Sequence, residues 1–166
     1  MAIRRAEYIF GIFFIMFVTG CATGISQQSR SKVTYMGTFS KLQKTPDVYD
    51  GEVVIFGGKI LETKVSSTLS ELTVLQLAID NSGWPVNLDQ SHGRFLVQSE
   101  QLLDPAIYQK GMLLTVVGML KGSKVRAIGD FDYAYPLLEA IEIKLWPKEV
   151  QTQPRLHFGF GVGTTF

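Results

Sequence analysis

The chain has 166 residues, 46% of them apolar and 19% charged, enough for one compact domain with extensions and too apolar for wholesale disorder. Its 16 Lys and Arg nearly balance 15 Asp and Glu, so it lacks the basic surface that neutralising nucleic-acid phosphates requires. A single cysteine excludes an internal disulfide.

That cysteine sits where an export signal ends. Residues 1–7 carry Arg4 and Arg5, residues 8–18 (YIFGIFFIMFV) are uncharged, and Thr19, Gly20, Cys21 and Ala22 follow. A helix over 8–18, rising about 1.5 Å per residue, covers only about half of a roughly 30 Å hydrocarbon core. It is short for a membrane span and right for the apolar region of a signal peptide, here residues 1–20. Val18-Thr19-Gly20-Cys21 resembles the lipobox of bacterial lipoproteins. The resemblance implies a diacylglyceryl group on the Cys21 thiol, cleavage between Gly20 and Cys21, and an N-acyl chain on the new amine. Each buried methylene contributes about 0.8 kcal/mol, so two or three chains on one residue anchor far more firmly than one. Apart from this covalent lipid no cofactor is expected. Ala22 is not the aspartate associated with inner-membrane retention, which points to the outer membrane. The alternative is an ordinary secretory signal or an uncleaved anchor, and Glu7 beside the basic residues favours it.

Residues 21–46 read as the lipidated cysteine followed by a flexible tether. Arg30, Lys32, Lys41 and Lys44 appear there without an acid, suiting an anionic lipid surface at about 1 kcal/mol each when close. Part of it, residues 33–39, could instead pair as an edge strand.

Residues 47–150 read as the folded domain. Predicted strands cover 52–63, 72–79, 94–98, 112–120, 125–128 and 137–145, with Gly57-Gly58 marking a bend in the first. Residues 81–93 form a polar loop carrying Trp84. A short helix is expected over 102–110, with Asp104 as N-cap, Pro105 in the first position and Gly111 as the stop. A tight turn falls at 121–124 and a loop at 129–136. The fold class is therefore all-β with one short helix. The element order is that of an OB-fold, a five-stranded Greek-key barrel with a helix between its third and fourth strands; another small barrel or sandwich is the alternative.

In the 129–136 loop Phe131, Tyr133 and Tyr135 alternate and so share one side. In an OB-fold that loop borders the ligand face, so these rings, joined by Trp84, form a candidate surface for stacking on sugars or bases. The alternative is that they close the barrel end or pack on the tether. His92 and His157 are too far apart in sequence to suggest a metal site, and Asp130 and Asp132 lack the rest of a calcium loop. No nucleophile elbow or phosphate loop occurs, so no catalytic residue is assigned. In the tail, residues 151–166, Phe158, Phe160 and Val162 alternate with glycines. One such segment cannot build a spanning barrel of at least eight strands, which leaves a tail that touches the membrane or a partner, or plain disorder.

Four blocks, residues 47–60 (DVYDGEVVIFGGKI), 94–96 (RFL), 103–118 (LDPAIYQKGMLLTVVG) and 129–147 (GDFDYAYPLLEAIEIKLWP), are together similar to the Slp family of Gram-negative outer-membrane lipoproteins. The resemblance runs from the signal peptide to Pro147. It implies a lipoprotein of the kind named for induction in carbon starvation or stationary phase. It carries over no catalytic residue, only Cys21. The expected function is a non-enzymatic, lipid-anchored envelope protein facing the periplasm. Its barrel would bind an envelope protein or glycan, and its other partners would be the membrane and the lipoprotein processing and sorting machinery. The alternative is a structural or stress-protective lipoprotein with no small-molecule ligand.

Overall fold

A computed structural model describes residues 24–147. The expected signal peptide with Gly20 and Cys21, His157 and the Gly-aromatic tail lie outside them. Six strands form: β1 (Val53–Val65), β2 (Ser70–Ile79), β3 (Pro85–Val86), β4 (Arg94–Ser99), β5 (Leu113–Ile128) and β6 (Phe131–Leu145). They lie in the order β1-β5-β6-β4-β2-β3, and β1 also pairs with β2, so the sheet closes on itself. Every ladder is antiparallel except β4–β6. With the short β3 set aside, this is the strand order and polarity of an OB-fold barrel.

Closure depends on β1, whose residues 57–59 pair with β2 on one side and β5 on the other. A Cβ on Gly58 would lie 2.4 Å from the Leu75 carbonyl oxygen and from Val74 Cγ1. That close backbone approach is what requires the glycine pair. Inside the ring pack Val54, Phe56, Ile60, Leu72, Val74, Phe95, Val97, Leu114, Val116, Leu120 and Leu138.

The segment expected as a solvated tether is instead folded on to the barrel from Gly24 onward. It forms α1 (Gln27–Arg30), α2 (Phe39–Lys44) and a 3-10 turn at Pro46–Tyr49. Phe39 and Leu42 are buried in the core, and the Phe39 ring meets Phe56 edge-on with centroids 5.2 Å apart. Thr38 caps α2 through its side chain. Residues 33–39 form no strand; the Thr34 and Tyr35 N–H groups both donate to the Val53 carbonyl. On the outer side of β1 and β5, Ile25 packs with Val53 and Val117 as a second apolar cluster.

Three further expectations are corrected. The helix over 102–110 is a single turn, in which Asp104 accepts from the Ala106 N–H as a cap should. It does not extend because Gly111 and Met112 are drawn into hydrogen bonds with Ile60 of β1 and Thr63 donates to the Tyr108 carbonyl. No turn occurs at 121–124; β5 runs through it, with a register shift against β6 between Leu120 and Ser123 and Gly122 at φ +65°. Residues 131–136 are not loop but the first part of β6.

Past Gln98↔Glu139 the β4–β6 ladder stops, and from Ala140 onward β6 pairs with β5 alone. A cleft of about 410 Å³ lies beside this stretch, lined in part by Glu100, Leu103, Tyr108, Glu139 and Ile141. Among the described residues no helix is long and apolar enough to cross a membrane.

Candidate functional site

Beyond its irregularity at Leu120–Ser123, the β5–β6 ladder continues as an arm from Ser123↔Pro136 to Ile128↔Phe131. Directly opposed residues share a face, so Lys124, Arg126, Tyr133, Tyr135 and Phe131 line one side of this arm. That side is tied to β2 and β4. The Arg126 guanidinium grips Glu71 of β2 with both ends, Nη1 at 2.6 Å from Oε1 and Nη2 at 3.0 Å from Oε2. Gln98 of β4 donates to the same carboxylate at 2.9 Å, and Lys124 Nζ stands 3.8 Å away. Glu71 is buried, which pushes its pKa upward, but hydrogen bonds from Arg126 and Gln98 and the charges of Arg126 and Lys124 outweigh burial. Its carboxyl is held below the usual carboxylate range.

Tyr133 serves the same closure. Its hydroxyl accepts from the Arg94 N–H at 2.8 Å and from Gln43 Nε2 at 2.8 Å, joining arm, β4 and α2. Tyr135 packs edge-on against it at 4.7 Å and is only 4% exposed, whereas Phe131 at the arm's tip is 80% exposed.

Between the arm and the β1–β2 hairpin lie two neighbouring clefts that share Lys64, one bordered by Glu71 and the other by Arg126. The first, about 470 Å³, is lined by Lys64, Ser66, Leu69, Gln98 and Lys124. The other, about 440 Å³, is lined by Glu62, Thr73, Arg94, Lys110, Arg126 and Tyr135. Lys64 is engaged by Glu62 at 3.1 Å, and Glu71 engages Arg126 and Lys124. Arg94 and Lys110 form no ion pair among the described residues. A concave, cation-lined site of this kind focuses a positive field and attracts anions.

The four aromatic residues expected on one ligand face are brought together only in part. Phe131, Tyr133 and Tyr135 share the arm, but Trp84 packs on Trp146 in a tilted contact with centroids 4.7 Å apart, at the opposite end of the β5–β6 ladder. There Trp146 Nε1 donates to Thr115 Oγ1 at 3.0 Å. The loop leading to Trp84 is held by Asp80, whose Oδ1 accepts from the Ser82 hydroxyl at 2.6 Å and the Trp84 N–H at 2.9 Å. Those donors, the Ser82 hydroxyl first, lower the Asp80 pKa. Among the described residues no three His, Cys, Asp or Glu side chains gather as a metal site. The cleft residues Glu71, Arg94, Lys110, Lys124 and Arg126 come from separate segments, and sequence reasoning missed them. The run of cations Lys121, Lys124 and Arg126 was the one local signal.

The chain matches the family described as Outer membrane lipoprotein Slp family over residues 18–161. It is 26% identical over 133 residues to an uncharacterized lipoprotein, YeaY, of Escherichia coli strain K12, spanning 80% of this chain and 68% of that protein. An uncharacterized protein of Haemophilus influenzae is 33% identical over 96 residues, 57% of this chain and 52% of its own length. The outer membrane protein Slp of Escherichia coli K12 is 23% identical over 137 residues, 81% of this chain and 72% of that protein. Among solved structures, the mitochondrial single-stranded DNA binding protein Rim1 of S. cerevisiae superposes with a TM-score of 0.36 at 14% identity, over 58% of this chain and 95% of that one. Pot1pC of Schizosaccharomyces pombe, bound to single-stranded DNA, gives 0.37 at 10% identity over 71% and 91%. The fold assignment rests on strand order and polarity, to which these scores add no argument. Over residues 18–161, the chain belongs to the outer membrane lipoprotein Slp family.

Proposed function

We propose that this protein is held in the outer membrane by lipid on Cys21 after cleavage behind Gly20, and that its barrel faces the periplasm. In this reading the cleft between the β1–β2 hairpin and the β5–β6 arm binds an acidic group of an envelope glycan or protein without catalysing a reaction on it. The observation that carries the reading is that Arg94 and Lys110, which form no ion pair among the described residues, line one cleft together with Lys64 and Arg126. A guanidinium offers a carboxylate or phosphate two parallel N–H donors, and Lys110 adds a point charge. The lipobox inside the family match supports the anchor. Expression that rises as carbon runs out belongs to the same reading. Nucleic acid does not, because the chain as a whole is nearly neutral.

A second reading, a structural or stress-protective lipoprotein with no small-molecule ligand, is favoured by the burial of Tyr135 and the Glu71–Arg126 clasp, which occupy the arm's inner side with the chain's own groups.

Binding of labelled acidic oligosaccharides and acidic peptides, followed by fluorescence anisotropy at low and high salt, separates the two. A charge-assisted hydrogen bond contributes about 1.5–3 kcal/mol, so the double substitution R94A/K110A is expected to weaken binding roughly tenfold or more. No salt-sensitive binding to any acidic probe leaves the bracing reading standing.

A further inference from the structure

We infer that the end of the barrel carrying Trp84 and Trp146 rests on the headgroup layer of the leaflet that holds the Cys21 lipid. The inference rests on the reading of Cys21 as the anchor. Three peptide steps separate Cys21 from Gly24, and three extended residues span at most about 11 Å. Gly24 cannot extend that reach, because it is already docked: a Cβ there would lie 2.8 Å from the Ser82 carbonyl oxygen. The next residues are docked too. Ile25 is buried against Val53 and Val117, the Ser26 N–H and hydroxyl both donate to Glu142, and Arg30 Nη2 donates to the Ser82 carbonyl at 2.7 Å.

A bilayer of about 30 Å hydrocarbon and 40–45 Å in all has a headgroup layer of roughly 5–7 Å on each side. An anchor fixed at the hydrocarbon boundary with about 11 Å of chain therefore holds the 80–84 loop at or just above the headgroups. The surface presented there suits that depth. Trp84 is partly exposed and backed by Trp146, and an indole, apolar with one N–H, favours the interface. Lys144 stands over the Trp146 ring at 5.8 Å, and Arg30 lies beside the loop. Two acids near it are engaged within the fold, Asp80 by Ser82 and Trp84 and Glu142 by Ser26.

Both tryptophans of the chain lie in this pair, so intrinsic fluorescence reports on this end alone. The full-length lipidated protein is reconstituted into phosphatidylethanolamine and phosphatidylglycerol vesicles containing a lipid spin-labelled on its headgroup. Quenching of tryptophan emission is expected, and it should disappear when a flexible spacer of twenty Gly and Ser residues is inserted after Thr23. Such a spacer adds roughly 25 Å of mean reach. Unquenched emission from protein whose mass shows lipid on Cys21 overturns the contact. Quenching that persists with the spacer overturns the claim that the short reach sets it. A bare Cys21 thiol by mass spectrometry instead sinks the anchoring reading, and the contact falls with it.

Discussion

Replacing Arg126 with Met removes the guanidinium while keeping most of the apolar stem, which isolates the ion pair that clasps the arm to β2. The Glu71 side chain is 7% exposed and loses two short contacts in the variant. Breaking a fully buried pair costs about 3–5 kcal/mol. Here Arg126 is 29% exposed, and Gln98 and Lys124 still face the carboxylate, so the expected loss is about 2 kcal/mol. For a domain of this size that is a fall of roughly 8 °C in Tm. Urea denaturation supplies the free energy, and the double variant E71Q/R126M should cost less than the two single changes added together.

The pH dependence gives an independent check on the same pair. The folded pKa of Glu71 is lowered, so its contribution is present above the unfolded carboxyl value, about 4.3. It is lost as pH falls through the lower folded value. The gap between wild type and R126M should therefore close as the solution is acidified. If R126M matches wild type at pH 7, or the gap is unchanged in acid, the clasp is not what holds the arm.

Other substitutions probe separate parts of the fold. Leu42→Ala empties a fully buried site in α2 and should cost about 2–5 kcal/mol by urea titration; a change under about 0.5 kcal/mol, the surface range, would mean that α2 does not plug the barrel. Gly58→Ala forces a Cβ against the Leu75 carbonyl and Val74, and overpacking of this kind costs about 1–3 kcal/mol, read as a drop in Tm. Glu142→Gln loosens the docked N-terminal segment. Burial raises the Glu142 pKa, but hydrogen bonds from Ser26 and Ser29 and the charge of Lys144 outweigh it and hold it low. Trypsin should therefore cut after Arg30 and Lys32 faster in E142Q than in wild type at pH 7, and the urea-stability gap between the two proteins should close only below about pH 4.3.

The barrel was legible because its strands are runs of apolar and β-branched residues, and because Gly57-Gly58 flagged the place where β1 is gripped from both sides. The segments around it were misread for identifiable reasons. Residues 22–46 are polar on average, which hid the spacing of Phe39 and Leu42 behind the Thr38 cap. Pro136 suggested a loop, since proline cannot donate to a ladder, yet it pairs with Ser123 right beside the β5–β6 irregularity. Gly122 suggested a turn, but its left-handed backbone serves that irregularity, where the Ser123 hydroxyl donates to Asp47 at 3.0 Å. Gly129-Asp130 was the hairpin signal that should have joined 125–128 to 131–136. The cleft was illegible because long-range register, not spacing, brings Lys64, Arg94, Lys110 and Arg126 together.

A closed ring of strands leaves little edge for another molecule's backbone to zip on, and one stretch that stays open is the seam where β6 outruns β4. Carboxylates at Glu139 and Glu142 flank that seam, and the skipped pairing at Ile141 kinks it, both devices that discourage sheet-to-sheet stacking.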